Sequence, residues 1–180
     1  MRNKKKEKLA EQEFWGTFYY MNVPKHIDGI PLHVEQVRFR LYNHVDDDHL
    51  VRMVQGIKSV GQLDLDETYI TNAGIAELVK LDSITELRLK GCDSITNEAM
   101  PFICSINGLE LLHLIGTSIT TAGFEQIGKL TSLKKLLIRA DRDDPLLEEI
   151  YVQLPKGCEL IVDYKGYPFD DNSSLKSFLV

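Results

Sequence analysis

Cysteine is scarce in this chain: Cys92, Cys104 and Cys158 are the only three among 180 residues. The count is odd and no two form a C-x-x-C pair, which argues against a disulfide scaffold or a zinc site. The three read as reduced thiols, the state expected of a cytoplasmic protein. No window reaches the roughly 18 uninterrupted apolar residues of a membrane span, so no membrane insertion is expected. The basic start, MRNKKKEKLAEQ, has no apolar stretch behind it and does not read as a signal peptide. A basic excess is also missing. The formal net charge is -6, the wrong sign for a protein whose main task is to hold nucleic acid or an anionic bilayer. No serine sits in a G-x-S-x-G elbow, and there is no P-loop or H-E-x-x-H. The expectation is therefore a protein that is not an enzyme and has no cofactor and no metal.

What is present is a folded domain's composition, 43% hydrophobic and 27% charged, and a repeat. The pattern apolar-x-x-apolar-x-apolar recurs as Val34/Val37/Phe39, Val60/Leu63/Leu65, Ile84/Leu87/Leu89, Leu109/Leu112/Leu114 and Leu133/Leu136/Ile138. A weaker sixth copy starts at Cys158, with Ile161 at its middle position. The middle residues 37, 63, 87, 112, 136 and 161 step by 24 to 26 residues, the mark of a solenoid. Each x-apolar-x-apolar-x run alternates and predicts a short strand. Another apolar residue follows: Val45, Ile70, Ile95 or Ile119. Then comes a helix-start residue: Asp46, Thr71, Thr96 or Thr120, whose side chain suits an N-cap, with Asp144-Pro145 serving in the fifth unit. Ile75/Leu78/Leu81, Met100/Ile103/Ile106 and Phe124/Ile127/Leu130 then give each predicted helix a narrow inward stripe.

The segments ITELRLKGCDSIT, LELLHLIGTSIT and VGQLDLDETYIT, with the following TNAGIAEL and TTAGFEQI, resemble the leucine-rich repeat family. The likeness is to its short cysteine-containing and bacterial-like subclass, and covers about residues 34–163. It implies an α/β fold: a right-handed solenoid, a horseshoe arc with a parallel β-sheet on its concave face and short helices on its convex face. Residues 1–13 would be a flexible basic arm, 14–33 an N-terminal cap rich in aromatics, 34–163 about five full repeats plus a terminal strand, and 164–180 a tail or cap. At the turn position of such repeats a polar side chain bonds to backbone. Tyr42, Thr68, Cys92, Thr117 and Asp141 occupy it here. Tyr42 and Asp141 depart from the pattern, as terminal repeats do.

The resemblance places three columns of side chains on the concave face. The central one is Arg38, Asp64, Arg88, His113, Leu137 and Val162. The next is Arg40, Asp66, Lys90, Ile115, Arg139 and Tyr164, and the preceding one Gln36, Gln62, Glu86, Leu111, Lys135 and Leu160. Arg38–Asp64–Arg88 and Arg40–Asp66–Lys90 predict cross-strand ion pairs, since neighbouring strands lie about 4.8 Å apart. Later in the chain Leu111, Ile115, Leu137, Leu160 and Val162 predict an apolar patch that needs a cover, either a partner or the chain's own tail. The partner-binding set is thus Arg38, Asp64, Arg88, Lys90, Leu111, His113, Ile115, Leu137, Arg139 and Tyr164.

The function expected is a protein-protein interaction module. An inhibitor or immunity-type protein that blocks a basic enzyme is the alternative, and a homodimer is open. His44-Val-Asp46-Asp47-Asp48-His49 has the residue types of a metal site, yet Asp46 has a simpler task as N-cap, with Asp47 and Asp48 favouring the helix's positive end. Asp141-Arg-Asp-Asp144 reads as a turn into a cap, lacking the glycine and distal glutamate of a calcium loop.

Overall fold

The computed structural model describes residues 31–41 and 44–169. The expected arm at 1–13, nearly all of the expected cap at 14–33, Tyr42 and the tail beyond 169 lie outside the described residues. The described chain is an α/β structure built on one seven-stranded sheet with strands in chain order. These are β1 (His33–Arg38), β2 (Ser59–Asp64), β3 (Ser83–Arg88), β4 (Leu111–His113), β5 (Lys135–Ile138), β6 (Glu159–Val162) and β7 (Lys165–Tyr167). The first six pair in parallel, and β7 turns back antiparallel on β6.

Alternation dictates the sheet's two faces. Val37, Leu63, Leu87, Leu112, Leu136 and Leu160 lie side by side in register, each no more than 1% exposed. They form the spine of a single apolar core. The sixth strand departs from the sequence reading. Leu136 pairs with Leu160 and Ile138 with Val162, so the interval is 24 residues and Ile161 is not the inward residue. Leu160 and Val162 are 1% and 2% exposed and belong to the core. Leu160 and Val162 are thus corrected from the open face of the sheet to its buried side. The cause is register: any other phase would bury Glu159 and the pairing that holds it.

The connections between strands carry short helices: α1 (Asp47–Gly56), α2 (Asn72–Glu77), α3 (Met100–Ile103) and α4 (Leu146–Gln153). Between β4 and β5 there are only two 3₁₀ turns, Thr121–Phe124 and Ile127–Lys129. That stretch, TAGFEQIGK, contains two glycines, each costing a helix about 1 kcal/mol. The apolar stripe survives without a helix, because Phe124, Ile127 and Leu130 are still buried. Thr71 and Thr96 cap as predicted, accepting from Ala73 N–H at 3.2 Å and Glu98 N–H at 3.4 Å. Asp144 Oδ1 accepts from Leu146 N–H at 2.9 Å across Pro145, which already has helical angles.

A second use of these residues ties neighbouring units together. Asp47 accepts the backbone N–H of Thr71 at 2.8 Å and its hydroxyl at 2.7 Å. Asn72 accepts Thr96 N–H at 2.9 Å and donates to Thr96 Oγ1 at 2.8 Å. Asn97 repeats the pair on Thr120 at 2.8 and 2.9 Å. Thr121 Oγ1 donates to Asp144 Oδ2 at 2.7 Å. The residue after each cap therefore holds the cap of the next unit. At the end of the sheet, Tyr167 and Phe169 pack on the core, and Tyr167 donates to Glu148 at 2.9 Å. Residues 164–169 thus continue the sheet and cover its last strand.

Gly74 makes room for the first of these links. A Cβ there would stand 2.2 Å from Asp47 Oδ1. Gly74→Ala is expected to destabilise the protein by about 1–3 kcal/mol in chemical denaturation, through the two bonds lost. In an Asp47→Ala background most of that loss should disappear, leaving the tight contact of the new Cβ with Leu50 Cδ1 at 3.1 Å set against up to about 1 kcal/mol of helix propensity. Separately, Asn72→Ala should cost about 1–3 kcal/mol, lowering Tm by roughly 2–12 °C.

Candidate functional site

The face of the sheet turned away from the core carries the candidate site. Pairing puts Arg38, Asp64, Arg88, His113, Leu137 and Ile161 across it in one row. Gln36, Gln62, Glu86, Leu111, Lys135 and Glu159 form the row before. The row after runs through Asp66, Lys90, Ile115 and Arg139 to Asp163, as backbone bonds from Gly91 to Ile115 and from Asp163 to Ile138 show. Ile161, Glu159 and Asp163 therefore replace Val162, Leu160 and Tyr164 of the sequence reading. Tyr164 sits in the turn between β6 and β7 with φ 66° and 63% exposure, outside all three rows. The expected patch shrinks to half-buried Leu111, Leu137 and Ile161, beside a buried Ile115.

Charge on this face pairs differently from the simple cross-strand ladder. Asp64 is 4% exposed. Its Oδ2 lies 3.0 Å from Arg40 Nε, a diagonal partner, and its Oδ1 accepts Asp66 N–H at 3.2 Å. Asp66 accepts the backbone N–H of Lys90 at 2.8 Å. Burial pushes the Asp66 carboxyl above its ordinary pKa, that hydrogen bond opposes the shift, and the charge of Asp64 adds to it. Cross-strand pairs do form further along. Lys135 Nζ lies 2.7 Å from Glu159 Oε2, and Arg139 Nε lies 3.3 Å from Asp163 Oδ1. These pairs exist only in the observed register of β6. Arg38 is exposed at the end of β1, opposite Asp64.

His113 is the least satisfied group. It is 7% exposed, and its Nε2 is buried without a hydrogen-bond partner. Burial holds its pKa below the usual value, and the positive charges of Arg88 and Lys90 push the same way. Its in-register neighbour Arg88 also has a buried Nε with no partner. The guanidinium's one ion pair is long, 3.5 Å from Nη2 to Glu86 Oε2.

The remaining sequence candidates have structural tasks. Thr68 and Thr117 donate to Leu65 O and Leu114 O at 2.7 and 2.8 Å. Cys92 Sγ donates to Leu65 O at 3.1 Å, so the turn position works as the resemblance implied. Burial raises the pKa of Cys92, and that of Cys104 and Cys158 to about 11, which keeps the thiols protonated. Asp46 lies 2.8 Å from His49 Nδ1 while Asp47 binds Thr71. His44 stacks on exposed Tyr69. Among the described residues no three His, Cys, Asp or Glu side chains are grouped to hold a metal ion. Nor is any described helix long and apolar enough to cross a membrane.

The sequence reading missed the inter-unit links of Asp47, Asn72 and Asn97. Their signal was the polar residue directly after each cap, but its partner lies 23 or 24 positions away.

The depressed pKa of His113 has a consequence for stability. The unfolded imidazole takes a proton near pH 6.5 while the folded one does not. Stability is therefore complete above about pH 6.5 and lost as pH falls toward the folded pKa. Denaturation of the wild type and of His113→Leu between pH 7.5 and 5 should show a shallower loss in the variant. Equal slopes would contradict the assignment.

No protein-family model, curated protein or solved structure matches the chain.

Proposed function

We propose that the chain is a right-handed leucine-rich-repeat solenoid, with its parallel sheet as the concave face, and that it serves as a non-catalytic protein-binding module in the cytoplasm. The constant lateral register, the 24- to 26-residue spacing and the bonded turn positions Thr68, Cys92 and Thr117 support the fold.

One observation carries the binding reading. On β5 and β6 the half-buried apolar pair Leu137 and Ile161 lies between two flanking ion pairs, Lys135–Glu159 and Arg139–Asp163, with Leu111 alongside. An apolar centre inside a polar rim is the anatomy of a protein interface. The inhibitor alternative asks for acidic groups displayed to a basic target. Asp64 and Asp66 are instead buried and engaged internally, which favours the general binding module. An enzyme would need a nucleophile bonded to a base, and among the described residues no hydrogen bond joins His113 Nε2 to a nucleophile.

The test is affinity capture from the native cytosol with three baits: wild type, Leu137→Asp, and Arg139→Glu. A partner held by the wild type should be lost with Leu137→Asp and weakened with Arg139→Glu, while both variants keep wild-type circular dichroism. Retention of every partner by folded Leu137→Asp would sink this placement. Light scattering on the same proteins shows whether the partner is a second copy.

A further inference from the structure

The binding face carries a chemical preference. We infer that the Arg88–His113 position takes a carboxylate from an acidic side chain of the partner, seated beside apolar side chains that cover Leu137 and Ile161. This inference rests on the protein-binding reading above and names the partner's chemistry.

Buried polar groups in folded proteins are almost always hydrogen-bonded, so two orphans on adjacent strands ask for a cause. Arg88 Nε and His113 Nε2 are both buried and unpartnered, and the two residues pair directly across β3 and β4. Both atoms can donate in the appropriate tautomer. The contact Arg88 does make, 3.5 Å to Glu86, is well beyond the ~2.7–2.9 Å of a charge-assisted bond. The Arg88 side chain remains 33% exposed, so the position opens toward solvent on that side. An incoming carboxylate would replace the loose Glu86 contact with a two-pronged one on the guanidinium and accept from the imidazole.

Charge favours a carboxylate over a doubly charged phosphate. The charges that act on His113 are Arg88, Lys90 and Asp64, two cations to one acid. One added negative charge balances that set with His113 neutral. A dianion would also require His113 to take up a proton, which its burial, Arg88 and Lys90 oppose. The groups facing His113 are Asp64 from β2, Arg88 from β3 with Lys90 just beyond it, and Leu137 from β5, with Arg139 just past that strand's end. Of these charges only Asp64 favours the imidazolium, so an additional anion should raise the imidazole's proton affinity.

The experiment is histidine-ring NMR on the full chain, titrated with sodium acetate against sodium chloride at matched ionic strength. Inorganic phosphate is a second arm. The exposed His33 and His44 are internal references. Acetate should move the His113 ring signals saturably, raise the midpoint of its titration and leave His33 and His44 at their chloride values. Arg88→Gln, with unchanged thermal melting, should abolish the effect. A His113 response no larger than that of His33 and His44 would overturn the inference. So would an undiminished response in Arg88→Gln, or a response to phosphate at lower concentration than to acetate. A silent acetate titration alongside loss of partner with Leu137→Asp would remove the carboxylate and leave the binding reading standing.

Discussion

Everything else in the molecule depends on one lateral constraint: each strand keeps the phase of its neighbour. The spine Val37–Leu63–Leu87–Leu112–Leu136–Leu160 is buried only because those six residues stay aligned across the sheet. A slip of one residue would turn every inward side chain outward. The aligned units then bury their apolar faces together, which no unit could do alone. Helix length matters less. The unit between β4 and β5 has no α-helix, yet Phe124 and Ile127 are as buried as their helical counterparts.

Polar side chains beyond the C-terminal end of each strand hold that phase. Thr68 and Thr117 close their own turns on the carbonyls of Leu65 and Leu114, and Cys92 reaches back to Leu65 O of the preceding unit. Further along the same connection, Asp47, Asn72 and Asn97 bind the caps of the next unit. The buried bonds of Thr68 and Cys92 satisfy groups that would otherwise cost about 1–3 kcal/mol each, while the exposed links at Thr71 and Thr120 contribute the net ~0.5–1.5 kcal/mol of an ordinary hydrogen bond. The same alignment organises the opposite face. It assembles the Asp64–Arg40 pair, the unsatisfied Arg88 and His113, and the framed apolar pair of β5 and β6 into one continuous surface.

Much of this was legible in the chain. Periodicity placed the first five strands and their inward residues, and Thr71 and Thr96 were visible as caps, whereas Thr120 makes no side-chain cap bond. The side chains assigned to the face away from the core lie in the expected rows through Leu137, except that Ile115 is buried. The assignment failed at the sixth strand for a local reason. The position matching Leu109 and Leu133 is Gly157, at φ 85°. The apolar template therefore slid forward to Cys158 and Ile161. The alternation Cys158, Leu160, Val162 held the true phase, and a 24-residue interval would have selected it. Charge pairing was less legible. Arg40 reaches Asp64 diagonally, and Asp66 spends its carboxylate on a backbone amide. Long side chains choose among several neighbours, and a column drawn from sequence cannot rank them. The orphaned atoms of Arg88 and His113 depend on burial, which spacing does not report.

All six parallel strands share one phase, the last included. Single cysteines at 137, 160, 161 and 162, reacted with a charged maleimide under native conditions, test it most directly. The native thiols are buried and give a low background. The phase described predicts rapid labelling of Leu137→Cys and Ile161→Cys, with Leu160→Cys and Val162→Cys protected until denaturant is added. Rapid labelling of Val162→Cys with Ile161→Cys protected would contradict it.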